Sequence, residues 1–307
     1  MKIFLALLVF ISSLYAEELR RGLLNPDISL IGDISLVKGE RDLRERFNTD
    51  AGFNLNYLEL FLGSAVDPYF DFSVFLHFLE EGVEVDEAYA KTRGLPFGFN
   101  VKAGKFRASF GRHNTLHAHN WKFPDPPLPF RKVFGEEGLL EKGISISWVA
   151  PTEVFISFTG EVLQGEVNNP PSSFILRGEL STDIGNLTLL AGSSYSYEHR
   201  AVGADLTVKY FLSSYKTVEL EGEFLSSRGK RGFYIQTSVP ITRRWRISTR
   251  YGAFGGDGRV SGAIELRPTE YSLLRLTYNH GEIGGRRVRE VILQAGFAIG
   301  AHRAHPF

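Results

Sequence analysis

The chain has 307 residues, and its 35 basic and 35 acidic residues give a formal net charge of zero. This balance argues against nucleic acid as a partner. The absence of cysteine excludes disulfide bonds and thiolate chemistry. After residue 16, charged residues or glycines interrupt every apolar stretch, so no transmembrane helix is predicted. Phe and Tyr are abundant, with 25 and 12 residues, and aromatic residues form the interfacial girdles of transmembrane barrels.

The first predicted element is a leader. Met1 and Lys2 precede an apolar run from Ile3 to Ile11, and small residues follow up to Ala16. A positive start, a short apolar core and a small final residue are typical of a secretory signal peptide. The apolar run is far shorter than the roughly 20 residues that a membrane-spanning helix needs. We therefore predict a signal peptide over 1–16 and one barrel domain over 17–307.

After the leader, apolar and polar residues alternate with a period of two. In 202–212, Leu206 and Val208 share one face, whereas Asp205 and Lys209 share the other. A helix would spread these sets around its circumference, so the period predicts strands. In chain order the predicted strands are 27–38, 53–66, 69–81, 83–93, 99–111, 143–150, 153–164, 173–183, 186–198, 201–213, 216–227, 231–241, 244–254, 259–267, 272–281 and 287–301.

The connections between these strands are of two kinds. Short turns such as Asp67–Pro68 and Pro151–Thr152 alternate with connections that include the two longest, 39–52 and 112–142. Short turns at one end, longer loops at the other and an even number of strands are typical of bacterial outer-membrane barrels. The sequence therefore predicts an all-β fold, a transmembrane antiparallel β-barrel of about sixteen strands. Barrels of 14 or 18 strands are the nearest alternatives.

The two faces of the strands predict which residues meet lipid and which meet the lumen. Phe72, Val74, Leu76, Leu206, Val208 and Ile247 are predicted to face lipid. The charged residues predicted to line the pore from the strands are Lys105, Arg107, Asp205, Lys209, Glu219, Glu221, Arg246 and Arg250. Over all strands, the polar faces carry nearly equal numbers of basic and acidic residues, which argues against a single-sign field that selects phosphate. Acidic residues at 219–223 oppose basic ones at 246, 250, 267 and 275, and this separation predicts a transverse field across the lumen.

The longest connection, 112–142, follows the fifth predicted strand. It carries four aromatic residues that are unfavourable in bulk water, Trp121, Phe123, Phe130 and Phe134. We therefore predict that this connection folds into the barrel and packs against the inner wall. Its charged residues would then line a constriction: Arg112, Lys122, Asp125, Arg131 and Lys132. Because the basic residues outnumber the single acid, a local preference for anions is predicted.

The same connection holds the histidines that form the one candidate metal site in the sequence. His113, His117 and His119 lie close together, and His77, His302 and His305 are further candidates. Imidazole suits Zn, Cu or Ni. However, neither spacing lies on a helix or strand that would fix its geometry, so hydrogen bonding of polar loop residues within the lumen is the alternative.

Acidic residues gather near a predicted outer turn. They are Glu80, Glu81, Glu84, Asp86 and Glu87. A solvated edge is the favoured interpretation, and a mouth that attracts cations is the alternative.

Several segments resemble known families. Lys102 to Arg107, leading into Phe110-Gly111-Arg112, and the final strand ending in Phe307 resemble the phosphate-selective porin O and P family. The histidine-bearing connection and the tail from Gly300 are similar to porin-like outer-membrane proteins labelled zinc-regulated receptors. The long connection after the fifth strand also resembles sixteen-stranded porins, in which that loop narrows the lumen. The resemblance implies a bacterial outer-membrane location, contact with outer-membrane lipid and, by analogy, a homotrimer.

These observations together predict a passive outer-membrane porin for small hydrophilic solutes or ions, with selectivity set by the lumen charges and the 112–142 connection. No catalytic residue and no cofactor are predicted, so the chain is not expected to be an enzyme. Two alternatives stay open. One is a metal- or ligand-binding outer-membrane protein that uses the histidines. The other is a structural barrel whose lumen is blocked by the long connection.

Overall fold

The computed structural model describes residues 26–39, 52–79, 82–165, 173–213 and 216–300. The predicted signal peptide, the tail histidines His302 and His305, and Glu80 and Glu81 lie outside the described residues. The described part forms sixteen strands that close into one antiparallel barrel, in which each strand pairs with its neighbours in sequence and β1 pairs with β16. The predicted all-β barrel of sixteen strands is therefore confirmed. Among the described residues, no helix is long and apolar enough to cross a membrane.

The strands agree with the predicted segments to within a few residues. Their bounds are β1 Asp27–Gly39, β2 Gly52–Ala65, β3 Phe70–Leu79, β4 Gly82–Thr92, β5 Phe99–Arg107, β6 Leu140–Val149, β7 Phe155–Leu163, β8 Ser173–Ile184, β9 Leu187–Ser196, β10 Ala201–Ser213, β11 Lys216–Ser227, β12 Lys230–Pro240, β13 Trp245–Phe254, β14 Asp257–Thr269, β15 Ser272–Ile283 and β16 Arg286–Gly300. Between β5 and β6 lies the long loop, residues 108–139, which contains the helix α1, Leu128–Phe134. Short 3₁₀ turns occur at Pro96–Gly98, His113–Thr115 and Ala118–Asn120.

The alternation of the sequence becomes an apolar outer face and a polar inner face. Leu206 and Ile247 are exposed on the outside of the barrel, with 49% and 43% of their surface accessible. Residues on the opposite, inward face are buried, among them Asp205, Glu221 and Arg250. Paired residues of adjacent strands share a face, because the register places Asp205 opposite Glu223 and Val208 opposite Leu220. An outer face of this composition suits lipid, and the inner face suits water and the long loop.

The two ends of the barrel differ. We call the end with the connections 66–69, 150–154 and 241–244 the turn end, and the opposite end, where the long loop begins, the loop end. The loop end also carries tight hairpins beside the longer connections. In one of them, Arg228 and Gly229 both have positive φ, 48° and 81°. That geometry matches the strand twist in two-residue hairpins.

Among the described strands, four pairs show a register shift, and the β-bulges in β2 and β4 bring extra residues into the buried interior. The register between β1 and β2 shifts after Asp33, which leaves Asn56 as an extra residue in β2. The register between β3 and β4 shifts after Phe75, which leaves Asp86 as an extra residue in β4. In each strand the extra residue and the next residue are both buried. The bulges therefore turn two consecutive side chains inward where strict alternation would allow one.

An apolar core fills the lumen at the loop end. Phe106, Phe110 and Phe130 pack in one buried cluster with Leu163 and Leu225 of the wall. Burying side chains of this kind stabilises the fold by about 1.5–3 kcal/mol each. This packing also ends β5 at Arg107, four residues before the predicted end at 111, because Ala108 and Phe110 leave the wall for the core. The amide of Ala108 donates to the carbonyl of Leu139 and closes the base of the loop.

Candidate pore constriction and histidine cluster

The first residues of the long loop cross the lumen and bond to the wall. The amide of Ser109 donates to Glu161 at 2.9 Å, and the amide of Gly111 donates to the hydroxyl of Ser194 at 3.0 Å. The amide of His113 donates to Glu223 at 2.6 Å. The loop thus crosses the lumen from β7 to β11, and hydrogen bonds to inward-facing side chains of the wall hold it in place. Gly111 has φ of 63°, and a Cβ there would lie 2.2 Å from Glu223 Oε2, so the crossing requires glycine.

The middle of the loop is held by buried arginines. Arg250 donates to Asp125 at 2.8 Å, and Arg259 also bonds to this carboxylate. Arg275 donates to the carbonyl of Trp121 at 2.9 Å. The guanidinium of Arg250 lies 4.3 Å from the ring centre of Phe123. The predicted inward fold of this segment and the burial of its four aromatic residues are confirmed.

A cavity of about 240 Å³ lies between the loop and the inner wall of β10 to β15. Seven of the predicted lining residues border it: Arg112, Lys122, Lys209, Glu219, Glu221, Arg246 and Arg250. Glu265, Arg267 and Arg275 complete its charged lining, so basic residues outnumber acidic ones. A second cavity of about 480 Å³ adjoins it, because Arg267, Arg275 and Asn120 line both.

Most acidic groups of this lining are already paired. Lys122 lies 3.1 Å from Glu219 and 2.6 Å from Glu221. Glu265 accepts from Arg275 and Arg267, each at 2.7 Å. Arg246 donates to the hydroxyl of Ser238 at 3.2 Å and forms no ion pair among the described residues. The acidic residues of the lining are therefore neutralised by ion pairs, whereas part of its basic charge is not.

Four other predicted lining residues lie in ion pairs away from this cavity. Arg107 bonds to Asp86 at 3.2 Å, at the end of β5. Asp205 is buried against Arg177 at 2.8 Å. Arg131 and Lys132, expected at the constriction, instead pair with Glu136 within the loop and with Asp257 at 2.9 Å. Asp125 is also absent from the lining of this cavity and is buried in ion pairs with Arg250 and Arg259. The predicted excess of loop basic charge is thus neutralised locally at these positions.

Lys105 corrects the prediction for β5. It pairs with Ala88, which pairs with Val74 of the outer face, so Lys105 points out of the barrel. Its ammonium group donates to the carbonyl of Val85. The inward positions of this stretch belong instead to Lys102 and Phe106. Phe106 faces the lumen because the core at the loop end is apolar. At that end, apolar side chains replace the polar ones that face inward along the rest of the barrel.

The three loop histidines separate into two groups. The His113 ring packs among aromatic residues, 4.7 Å from Trp121 and 5.0 Å from Phe130 between ring centres. The rings of His117 and His119 stack on each other at 5.6 Å and lie in a different place, against β2 and β4. The predicted set of three is therefore not assembled as one ligand group.

His117 and His119 instead meet residues of the wall. His119 Nδ1 lies 3.3 Å and His117 Nδ1 lies 3.6 Å from Glu59. His117 Nε2 lies 3.1 Å from Glu87, and His77 Nε2 lies 3.1 Å from Glu59. Burial would lower the pKa of His117, but hydrogen bonds to Glu59 and Glu87 raise that pKa to about 10. We call Glu59, His77, Asp86, Glu87, His117 and His119 the histidine cluster.

Sequence reasoning missed three members of this cluster. Asp86 and Glu87 were expected on a solvated rim, but both are buried and face the lumen, so that interpretation is wrong for these two residues. Glu84 is exposed. Glu59 was not predicted as a functional residue, although its position between Leu58 and Leu60 marks it as inward. The signal that was available for Asp86 is the broken alternation Val85-Asp86-Glu87-Ala88, which is the mark of a bulge.

Comparison with known proteins identifies both relatives and fold. A protein of Aquifex aeolicus (strain VF5), described as uncharacterized, is 36% identical, and the match covers 92% of this chain and 80% of that protein. No family model matches the chain.

Solved structures with the same fold share little sequence. A loop-deletion mutant of OmpT, an outer membrane protein of Vibrio cholerae, has a TM-score of 0.64 at 10% identity, covering 90% of this chain and 99% of that chain. The anion-selective porin from Comamonas acidovorans has a TM-score of 0.60 at 11% identity, covering 90% and 99%. The outer membrane channel DcaP of Acinetobacter baumannii has 0.58 at 12% identity, covering 90% and 96%. The chain belongs to the family of the Aquifex aeolicus protein, and its barrel is that of the bacterial outer-membrane porins.

Proposed function

We propose that the chain is an outer-membrane channel for passive diffusion of small hydrophilic solutes or ions, without an enzymatic role. The observation that carries this proposal is the charged cavity that remains between the inward loop and the wall of a closed barrel. The loop fills the lumen at the loop end with apolar side chains, so diffusion has to follow the polar space beside β10 to β15. The narrow passage sets a low size limit, and the charges along it set selectivity.

The lining favours anions over cations. Arg246 lies at this cavity outside any ion pair among the described residues, and Arg112 and Lys209 border the same space. The acidic residues there contact Lys122, Arg267 or Arg275. A passage lined by one excess sign raises the local concentration of the opposite ion. The anion-selective porin from Comamonas acidovorans shares this fold.

The apolar outer face supports contact with outer-membrane lipid. A homotrimer is proposed by analogy with porins of this fold. Small solutes or ions are the proposed partners in the lumen.

Single-channel recording in planar bilayers tests the proposal. We expect a small conductance and, in asymmetric KCl, a reversal potential that shows anion preference. The double variant Lys209→Gln/Arg246→Gln removes two cavity charges and should move that potential toward zero. Arg286→Gln, exposed at the opposite end of the barrel, is the matched control and should leave the potential unchanged. Absence of conductance would establish a blocked barrel, and a cation preference would contradict the charge assignment.

A further inference from the structure

We propose that the barrel holds one divalent transition-metal ion between its inner wall and the long loop, with Glu59, Asp86 and His117 as ligands and His77 as the fourth. This site goes beyond the channel function, and the ion would tie the loop to β2, β3 and β4. It differs from the predicted set of loop histidines in taking three of its four ligands from the wall.

The spacing of the donor atoms fits a metal ion. One ligand atom each from Glu59, Asp86 and His117 lie within 4.8 Å of one another. His77 Nε2 lies 3.1 Å from Glu59 Oε2 and 4.0 Å from Asp86 Oδ2, and His117 Nδ1 lies 3.6 Å from the same Glu59 atom. Ligand bonds of about 2.1 Å in tetrahedral geometry place neighbouring donors about 3.4 Å apart. The observed distances between donor atoms, 3.1, 3.6 and 4.0 Å, lie on both sides of this expected spacing.

The donor types are those of zinc and its first-row neighbours. Imidazole nitrogen together with carboxylate oxygen suits Zn, Co or Ni rather than the oxygen-only preference of Ca or Mg. His117 also has the outer partner that metal-bound histidines require. Its Nε2 lies 3.1 Å from Glu87 while Nδ1 faces Glu59. A carboxylate behind the imidazole fixes the orientation of the ring and raises its basicity as a ligand.

The charges of the cluster call for a cation. Glu59, Asp86 and Glu87 are all buried, and Arg107 is the guanidinium in contact with two of them. Three carboxylates and one guanidinium carry a summed charge of minus two, which a divalent ion would balance. Buried charges without such compensation are strongly unfavourable.

The residues around the proposed ligands hold them in fixed positions. The bulge in β4 turns Asp86 and Glu87 inward together, which regular alternation would not allow. Phe75 stacks on His117 at 4.5 Å, and Tyr57 stacks on His77 at 5.4 Å between ring centres. These rings hold both imidazoles in place.

Cobalt binding to the full chain, folded in detergent and stripped with a chelator, tests the site. We expect one Co²⁺ per chain with the visible absorption of a tetrahedral ion, and displacement by Zn²⁺ measured by calorimetry. Glu59→Gln and Asp86→Asn should weaken binding at least 100-fold, and Glu87→Gln should weaken it about 10–100-fold as an outer partner. His280→Gln, whose imidazole is on the outer face, is the matched control and should bind as the wild type does.

Folding is checked for each variant by heat-modifiable mobility in electrophoresis. If Glu59→Gln does not fold, His77→Gln replaces it, because His77 makes fewer contacts to the loop. A cluster held together by protonated histidines alone predicts no metal uptake, and that result would overturn the proposal. Uptake that is equal in wild type, Asp86→Asn and His77→Gln would overturn it as well. Neither readout depends on conductance, so failure here is distinguishable from failure of the channel proposal.

Discussion

At the scale of single residues, buried ion pairs between loop and wall hold the constriction. Asp125 forms ion pairs with two buried guanidiniums, those of Arg250 and Arg259. Asp125→Asn keeps the shape of the side chain but leaves both charges without a carboxylate. We expect a loss of about 3–5 kcal/mol in the free energy of unfolding, measured by urea titration in lipid vesicles. Asp257→Asn, which affects the partly exposed pair with Lys132, should change it by at most about 1 kcal/mol. Equal effects of the two variants would mean that Asp125 does not anchor the loop.

The outer face gives a second prediction at this scale. Leu206 lies at the middle of β10 and faces lipid. Leu206→Arg should lower the free energy of unfolding by about 2–4 kcal/mol, because a charge at mid-height has no water to solvate it. Tyr210→Arg, on the same face but nearer the turn end, should cost about 0–1 kcal/mol. The same urea titration measures both, and a larger loss for Tyr210→Arg would refute the depth assigned to β10.

At the scale of elements, the bulge in β4 decides what reaches the lumen. Val85 faces outward, Asp86 and Glu87 face inward, and Ala88 faces outward again. Deleting Asp86 therefore restores plain alternation without moving any other residue to the wrong face. We expect this deletion variant to fold with an unchanged register and to lose the bulge carboxylate alone.

Deleting Val85 is the matched control. It places Asp86 in the outward position opposite Leu76, while Glu84 and Val83 keep their partners His77 and Phe78. This variant should be less stable than the Asp86 deletion by on the order of 1 kcal/mol, because a carboxylate then meets lipid near the membrane edge. Heat-modifiable mobility and urea titration compare the two. Equal stability would mean that β4 has no defined register at the bulge.

At the scale of the whole molecule, the long loop sets how much of the lumen is open. Residues 116–130 supply Trp121, Phe123 and Phe130, which are buried inside the barrel. Deleting 116–130 should raise single-channel conductance, because this material leaves the lumen. The deletion also exposes Arg250, Arg259 and Arg275 to the lumen, while it removes Lys122. Unchanged conductance would mean that ions do not pass the loop.

The structure changes the effect on ion selectivity that we expect from the same deletion. The sequence predicts a weaker anion preference, since basic residues outnumber acidic ones in the 112–142 connection. In the structure, Arg131 and Lys132 are paired, and Asp125 covers two arginines of the wall. We therefore expect the reversal potential of the deletion variant to keep its anion preference. Loss of that preference would assign selectivity to Lys122 and the loop.

The sequence by itself determined the number of strands, their order and the faces of most of them. These features are local, because alternation along one strand fixes which side chains share a face, as Asp205 and Leu206 show. It also determined that the 112–142 connection folds inward, since its aromatic residues require a buried environment. No distant partner has to be known for either inference.

Tertiary structure alone decided which groups meet inside the barrel. Asp125 and Arg250 are 125 positions apart, and Glu59 reaches His117 only because the barrel closes and the loop crosses it. The separation of His113 from His117, the outward side of Lys105 and the inward turn of Asp86 likewise depend on where the loop packs and where β4 bulges. Barrel closure and the packing of the loop bring residues together at distances that the period of a single strand does not encode.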